Sequence, residues 1–305
     1  MKFAAFFLAL LLVLAASAQE ADVPVLRVET RLVNVPVNAT DAMDVPIPDL
    51  KQSDFQILEE GKPQKIAIFE RQATTPLSIV MAIDTSESVM TQFQTERDAA
   101  KRFVKQMLRE QDEMDLISFS DSVDEIVPFT NDAGRMNAGI GSLRKGDATS
   151  LYNAIYLASQ RLTEAKRDAT RRRILVIVTD GGNTTKGMRY QQAVEAAERA
   201  GAAIYPIIMV PIEADAGRNT GGEHALIQMA QDTGGKYFYV LDKHDLDKAF
   251  AHLSDDLRTQ YLLGYYAPPR HRDDGFRTIN VRLTDAARAA TARLRYKSGY
   301  FADGR

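Results

Sequence analysis

The run Asp84-Thr85-Ser86-Glu87-Ser88 places three oxygen-bearing side chains at alternate positions directly after the apolar stretch 77–83. Chain that leaves a strand in extended form points alternate side chains the same way, so Asp84, Ser86 and Ser88 converge. Carboxylate and hydroxyl oxygens are hard donors. A set holding one or two carboxylates suits Mg²⁺, or another hard divalent ion such as Mn²⁺ or Ca²⁺. A second aspartate, Asp180, follows the wholly apolar run 174–178 and Thr179, and Gly181 and Gly182 behind it allow close backbone approach. Thr149 stands in Gly146-Asp147-Ala148-Thr149-Ser150-Leu151-Tyr152, a loop before a predicted helix. The N-terminus of that helix carries partial positive charge, which favours an anionic ligand group nearby.

These residues need a frame that brings positions about a hundred residues apart to one edge. Residues 77–83 and 174–178 are nearly continuous apolar runs, as in strands buried on both faces of a parallel sheet. Ala100, Phe103, Val104, Met107 and Leu108 recur at three- and four-residue spacing, which predicts an amphipathic helix. Strands at 114–119 and 123–129, a helix at 151–162, a helix at 191–200, a strand at 203–210, a helix at 225–232, a strand at 236–240 and a helix at 246–257 complete the alternation. Strands alternating with helices imply a doubly wound, mostly parallel α/β sheet. In such sheets ligands collect beyond the carboxyl ends of the strands where the strand order reverses. If 77–83 and 174–178 flank that point, Asp84 and Asp180 face one crevice. Pro206 inside a strand predicts an edge position or a bulge.

Before and after this region the period is two. Strands are predicted at 26–37, 54–58 and 65–70, the last two joined in a hairpin by Glu59-Glu60-Gly61-Lys62-Pro63, and at 261–266, 277–283 and 293–300. The division expected is 1–18 signal peptide, 19–73 β-segment, 74–257 α/β domain and 258–305 β-segment, the outer segments being candidates for one small β-domain or for two separate appendages.

The three pieces Asp84-x-Ser86-x-Ser88, Thr149 before Leu151-Tyr152, and Val178-Thr179-Asp180-Gly181 resemble the metal-ion-dependent adhesion site (MIDAS) of von Willebrand factor type A (VWA) domains. The resemblance covers about residues 75–257 and implies a Rossmann-like fold. It implies that Ser86, Ser88 and Thr149 bind the metal directly or through water, with Asp84 and Asp180 often acting through water. A partner protein's Asp or Glu would complete the coordination. The loop departs from the frequent Gly-Gly-Thr in reading Asp147-Ala148-Thr149, and Asp147 is expected to face solvent. The outer segments, with the ending Arg295-Tyr296-Lys297-Ser298-Gly299-Tyr300-Phe301, resemble exported acidobacterial "VWFA-related" proteins.

Composition narrows the remaining choices. The 305 residues suffice for one large or two modest domains. A net charge of −3 gives no reason to expect nucleic acid as a partner. With no cysteine, disulfides, zinc–thiolate sites and cysteine nucleophiles are excluded. Lys2, the uncharged apolar run 3–15 and Ala16-Ser17-Ala18 form a secretory signal pattern, with cleavage after Ala18, a secreted or periplasmic destination and no membrane span in the mature chain. The run is shorter than the roughly 20 residues a span needs. No Gly-x-Ser-x-Gly nucleophile elbow occurs. An aspartyl-phosphate enzyme of the haloacid-dehalogenase type would want an aspartate where Ser86 stands, with Lys186 a candidate partner. The expectation is therefore an interaction module rather than an enzyme. The alternatives are a structural envelope protein whose metal only ties loops together, or a metal-dependent hydrolase or phosphatase. His224, His244, His252 and His271 form no metal-spaced pair, and Arg171-Arg172-Arg173 is expected to solvate a strand entrance.

Overall fold

The computed structural model describes residues 31–71, 75–87, 93–165, 171–210, 219–268 and 275–302, the side chains of 243 and 244 excepted. The signal pattern at 1–18, the strand start at 26–30, Ser88 and His271 lie outside these residues. Among the described residues no helix is long and apolar enough to cross a membrane.

The central sheet has six strands: β5 (Leu77–Asp84), β6 (Glu113–Phe119), β7 (Val123–Thr130), β8 (Arg172–Thr179), β9 (Ala202–Met209) and β10 (Phe238–Val240), in the order β10-β9-β8-β5-β6-β7. All neighbours are parallel except β6 and β7. Every residue of β5 is buried, as expected for a strand covered on both faces. One face carries α1 (Phe93–Met107), α2 (Ala133–Ser142) and α6 (Lys243–Arg258), packed on Ile79, Met81, Ile174 and Val176. The other carries α3 (Leu151–Glu164), α4 (Tyr190–Ala200) and α5 (Thr220–Thr233), packed on Val80, Ala82, Leu175 and Ile177. From β5 the chain goes to one side through β6 and β7, then returns to β8 on the other. The strand order therefore reverses between β5 and β8, the two strands that end near Asp84 and Asp180.

Pro206 pairs with Ile177 of β8 without a bulge, whereas β10 begins only at Ile207. Pro206 thus stands in an interior strand, one residue before pairing with β10 begins, and is neither an edge nor a bulge position. Helix α5 begins at Thr220, ahead of the predicted 225, with Asn219 as N-cap accepting from the Gly222 N–H at 2.8 Å.

The outer strands form two antiparallel four-stranded sheets: β1 (Arg31–Thr40), β2 (Phe55–Glu59), β3 (Lys62–Gln64), β4 (Ile66–Arg71), β11 (Tyr261–Ala267), β12 (Phe276–Leu283), β13 (Arg293–Arg295) and β14 (Gly299–Phe301). Their orders are β13-β1-β11-β4 and β14-β12-β2-β3, and the short helix α7 (Ala286–Thr291) follows β12. Val33, Val35, Ile57, Leu263, Tyr265 and Val281 share one core, so amino- and carboxyl-terminal segments interleave. The hairpin differs from expectation. Glu60 and Gly61, both at positive φ, turn the chain from β2 into β3, and β4 then crosses to the other sheet. The predicted strand 293–300 is two, β13 and β14, one in each sheet. Glu59, buried in this core, accepts from the Tyr265 hydroxyl at 2.6 Å and the Tyr300 hydroxyl at 2.9 Å, with Arg277 Nη1 at 3.4 Å, joining strands of both sheets.

Candidate metal centre

Asp84 is fully buried at the end of β5. Its Oδ1 accepts from the Ser86 N–H at 2.9 Å and its Oδ2 from the Thr179 hydroxyl at 2.6 Å. That second bond reaches across from β8, so the two strand ends are tied through the aspartate itself. Thr85, between the two donors, turns away: its N–H and its hydroxyl both donate to the Phe119 carbonyl, at 2.9 and 3.2 Å. Ser86, two residues on, turns its N–H back to Asp84, so the chain bends here rather than continuing extended.

Thr149 is buried just before α3 and is fastened to two neighbouring loops. The Gly146 N–H donates to the Thr85 carbonyl at 2.9 Å, linking the threonine loop to the Asp84 loop. Thr149 N–H donates to the Thr184 hydroxyl at 2.9 Å, while its carbonyl accepts from the Thr184 N–H at 2.9 Å. No hydrogen bond occupies the Thr149 hydroxyl among the described residues.

Asp180 is half-buried, and its Oδ1 accepts from the Gly182 N–H at 2.9 Å. The glycine shows how closely these groups converge: a Cβ on Gly182 would lie 3.1 Å from Asp180 Oδ1 and 3.7 Å from Thr149 Oγ1. Gly181 has φ +88°, open to glycine at no steric penalty. The start of α5 packs on this turn so tightly that a Cβ on Gly222 would meet the Gly181 carbonyl at 1.8 Å. Four of the five predicted donors thus stand at one edge, and Ser88 lies outside the described residues. Asp147 and His224 are exposed, as expected, and so are Lys186 and His252.

The electrostatics reveal a residue missed in the sequence. Glu96, in the first turn of α1, is 3% exposed, and neither of its carboxylate oxygens has a hydrogen-bond partner. Burial, then the charges of Asp84 and Asp180, push its carboxyl up to about 8. Burial also raises Asp84 to about 6; the bonds from Ser86 and Thr179 oppose the rise, and the Asp180 charge adds to it. No lysine or arginine enters either balance. Glu96 had a signal: it precedes Ala99, Ala100 and Phe103 by three, four and seven residues, an acid in the apolar stripe of its helix.

Among the described residues no three His, Cys, Asp or Glu side chains group closely enough to hold a metal by themselves. The donor set at this edge is instead mixed, hydroxyls with carboxylates. Such a set fits a hard divalent ion, which would favour the ionised forms of Asp84 and Glu96 that burial opposes.

The profile of the von Willebrand factor type A domain matches residues 78–252. The chain belongs to that family. Among solved structures, the VWA chain resembles proximal thread matrix protein 1 of the mussel byssus, in a structure with zinc occupying its MIDAS motif. That likeness has 13% identity and a TM-score of 0.52, over 68% of this chain and 50% of that one. It also resembles the vWF domain of the type V pili tip protein Mfa5 of Porphyromonas gingivalis, with 14% identity and a TM-score of 0.50, over 60% of this chain and 95% of that one. At these identities the likeness is one of fold. A comparison with curated proteins found no match.

Proposed function

We propose that this VWA domain is an exported interaction module that holds one divalent cation at the β5/β8 edge and binds a partner protein through it. The observation that carries the reading is the set of buried carboxylates, Asp84 and Glu96 with Asp180 beside them, that no cationic side chain compensates. Ser86, Ser88 and Thr149 supply hydroxyl oxygens, and Asp84 and Asp180 supply the charge. Hydroxyl and carboxylate donors favour Mg²⁺, with Mn²⁺ or Ca²⁺ as substitutes. The bound ion supplies Lewis acidity toward a carboxylate, so the matching partner group is an Asp or Glu side chain. Mussel thread matrix protein 1, with zinc in its MIDAS motif, supports a cation at this place in the fold.

The residues suit binding better than catalysis. Both Asp84 oxygens are held by hydrogen bonds, which fixes them as donors rather than freeing one as a nucleophile. In this reading residues 74–257 form the module, and 19–73 with 258–305 form its mount. Export to a secreted or periplasmic site rests on the pattern at residues 1–18.

Calorimetric titration with Mg²⁺ and Mn²⁺, followed by pull-down from envelope extract, tests the proposal. The expected result is saturable metal binding and partner capture, both lost with chelator and in the folded Asp84→Ala and Asp180→Ala variants. Partner capture that survives chelator and both substitutions overturns it.

A further inference from the structure

At the opposite end of the same sheet, where the parallel strands begin, the VWA domain meets the outer strands across a cavity of about 400 Å³. The distance between the two edges follows from β8, whose eight residues rise about 3.3 Å each, roughly 23 Å from Arg172 to Thr179. Six cationic side chains line the cavity: Arg31, Arg171, Arg172, Arg173, Arg199 and Lys297. Glu198 is the one carboxylate among the described lining residues. The volume is that of a small-molecule site.

Part of this charge has a structural explanation. Arg172 Nη1 donates to the Leu257 carbonyl at 2.5 Å, near the end of α6, and Arg173 Nη1 donates to the Ala200 carbonyl at 2.8 Å, at the end of α4. Arginines at helix C-termini satisfy orphan carbonyls and the negative end of the dipole. That role uses one nitrogen of Arg172. Its Nε and Nη2 have no hydrogen-bond partner, although the residue is only 5% exposed. A buried guanidinium with two idle donors is expensive unless something accepts from them.

Two of the six are ion-paired, Arg171 with Glu113 at 4.0 Å and Arg199 with Glu195 at 2.8 Å. Arg31, Arg172 and Lys297 have no carboxylate within ion-pairing distance among the described residues, and the nearby Asp256 is taken by Arg295. Arg31 donates to the carbonyls of Phe301 and Ala302, which carry no net charge. Burial and the Arg31 charge together lower the Lys297 ammonium to about 8, as expected where like charges face each other in a partly dry space. The Tyr300 ring lies under Arg31 and Lys297, and the Phe301 ring under Arg199 at 4.0 Å, so the aromatic residues hold the cations at this wall.

We propose that this cavity is an anion site that takes a small molecule through a phosphate group, with Arg172, Arg31 and Lys297 as its principal donors. Forked guanidinium donors match the tetrahedral oxygens of phosphate, and Lys297 adds a point charge at the wall. Glu198, in the same lining, accepts from hydroxyl groups on the remainder of the ligand. The site is independent of the metal edge.

Calorimetric titration of the full protein with inorganic phosphate and with pyrophosphate, at constant ionic strength in chloride buffer, tests this. The expected result is saturable one-to-one binding, tighter for pyrophosphate. It should weaken about tenfold in Lys297→Gln and in Arg31→Gln, which leave the buried Arg172 cap untouched, and be unchanged in Asp84→Ala. Arg172→Lys, which keeps the charge but not the fork, should weaken it as well. Absence of saturable binding up to about 10 mM, or equal binding by wild type and both glutamine variants, overturns the proposal. Metal titration of the same variants keeps the two sites separate, because Lys297→Gln should bind Mg²⁺ as the wild type does.

Discussion

The two edges of the central sheet are electrostatic opposites. At the carboxyl edge Asp84, Glu96 and Asp180 gather without a cation, and at the amino edge Arg172, Arg31 and Lys297 gather with no carboxylate in ion-pairing distance among the described residues. Helix dipoles alone give a different expectation for the first edge: the N-termini of α1 and α3 lie there, and their partial positive charge attracts anions. Three acidic side chains stand against that expectation, with no basic side chain beside them. At the second edge the arginines complement the helix C-termini and then exceed what capping requires. At the carboxyl edge the acids are buried or half-buried; at the amino edge Arg172 is buried, Lys297 half-buried and Arg31 exposed at the mouth. The lesson is that surplus buried charge of one sign, beyond what the fold uses, marks a place for a ligand of the other sign.

The comparison breaks first at Glu96. Its folded-state carboxyl is raised above the ordinary 4.5 to about 8, so the stability linked to it is full below 4.5 and is lost as pH rises through 8. Glu96→Gln should therefore stabilise the metal-free protein at pH 8 by on the order of a few kcal/mol and leave it almost unchanged at pH 4. Thermal melts in chelator at the two pH values check this. A melting temperature that drops at pH 8 on substitution shows that Glu96 is held by something other than burial beside like charges.

A smaller effect sharpens the other edge. Arg173→Gln removes the bond to the Ala200 carbonyl and should destabilise by about 0.5–1.5 kcal/mol, read by denaturant midpoint. An effect several times larger would mean that its charge is tied into the fold and is not surplus. Asp147→Asn should do least. The side chain is exposed, so stability should stay within about 0.5 kcal/mol and Mg²⁺ affinity within about twofold by calorimetry.

Much of the carboxyl edge was legible because strands buried on both faces leave unmistakable apolar runs, and Asp84 and Asp180 follow theirs. The neighbouring of β5 and β8 could be conditionally placed but not read, since pairing between parallel strands leaves no mark in either. Glu96 was hidden because one acid in an amphipathic stripe looks like a lapse of periodicity until its burial is known. Arg172 was misread for a similar reason. A basic triplet suggests a solvated entrance, yet strand alternation and α6 bury its middle member. The outer strands were found but wrongly joined. In 293–300 the period of two runs through a break at 296–298, where the chain changes sheets. Helix α2 escaped because Gly134, Gly139 and Gly141 dilute its pattern, although Asp132 caps it by accepting from the N–H groups of Gly134 and Arg135.

The chain leaves the outer sheets after Arg71 and re-enters them at Tyr261, and these two residues are register partners in β4 and β11. The whole central domain is thus an excursion between adjacent strands. This has a consequence for the order in which the chain assembles. Contacts such as Tyr265 with Glu59 are 206 residues apart in sequence, and closing so long a loop through loose chain is slow. A folded central domain shortens that search by delivering both strands to one spot. The α/β unit therefore acts as a template for its own mount, and substitutions that weaken its core should delay formation of the outer sheets even where they touch none of their residues.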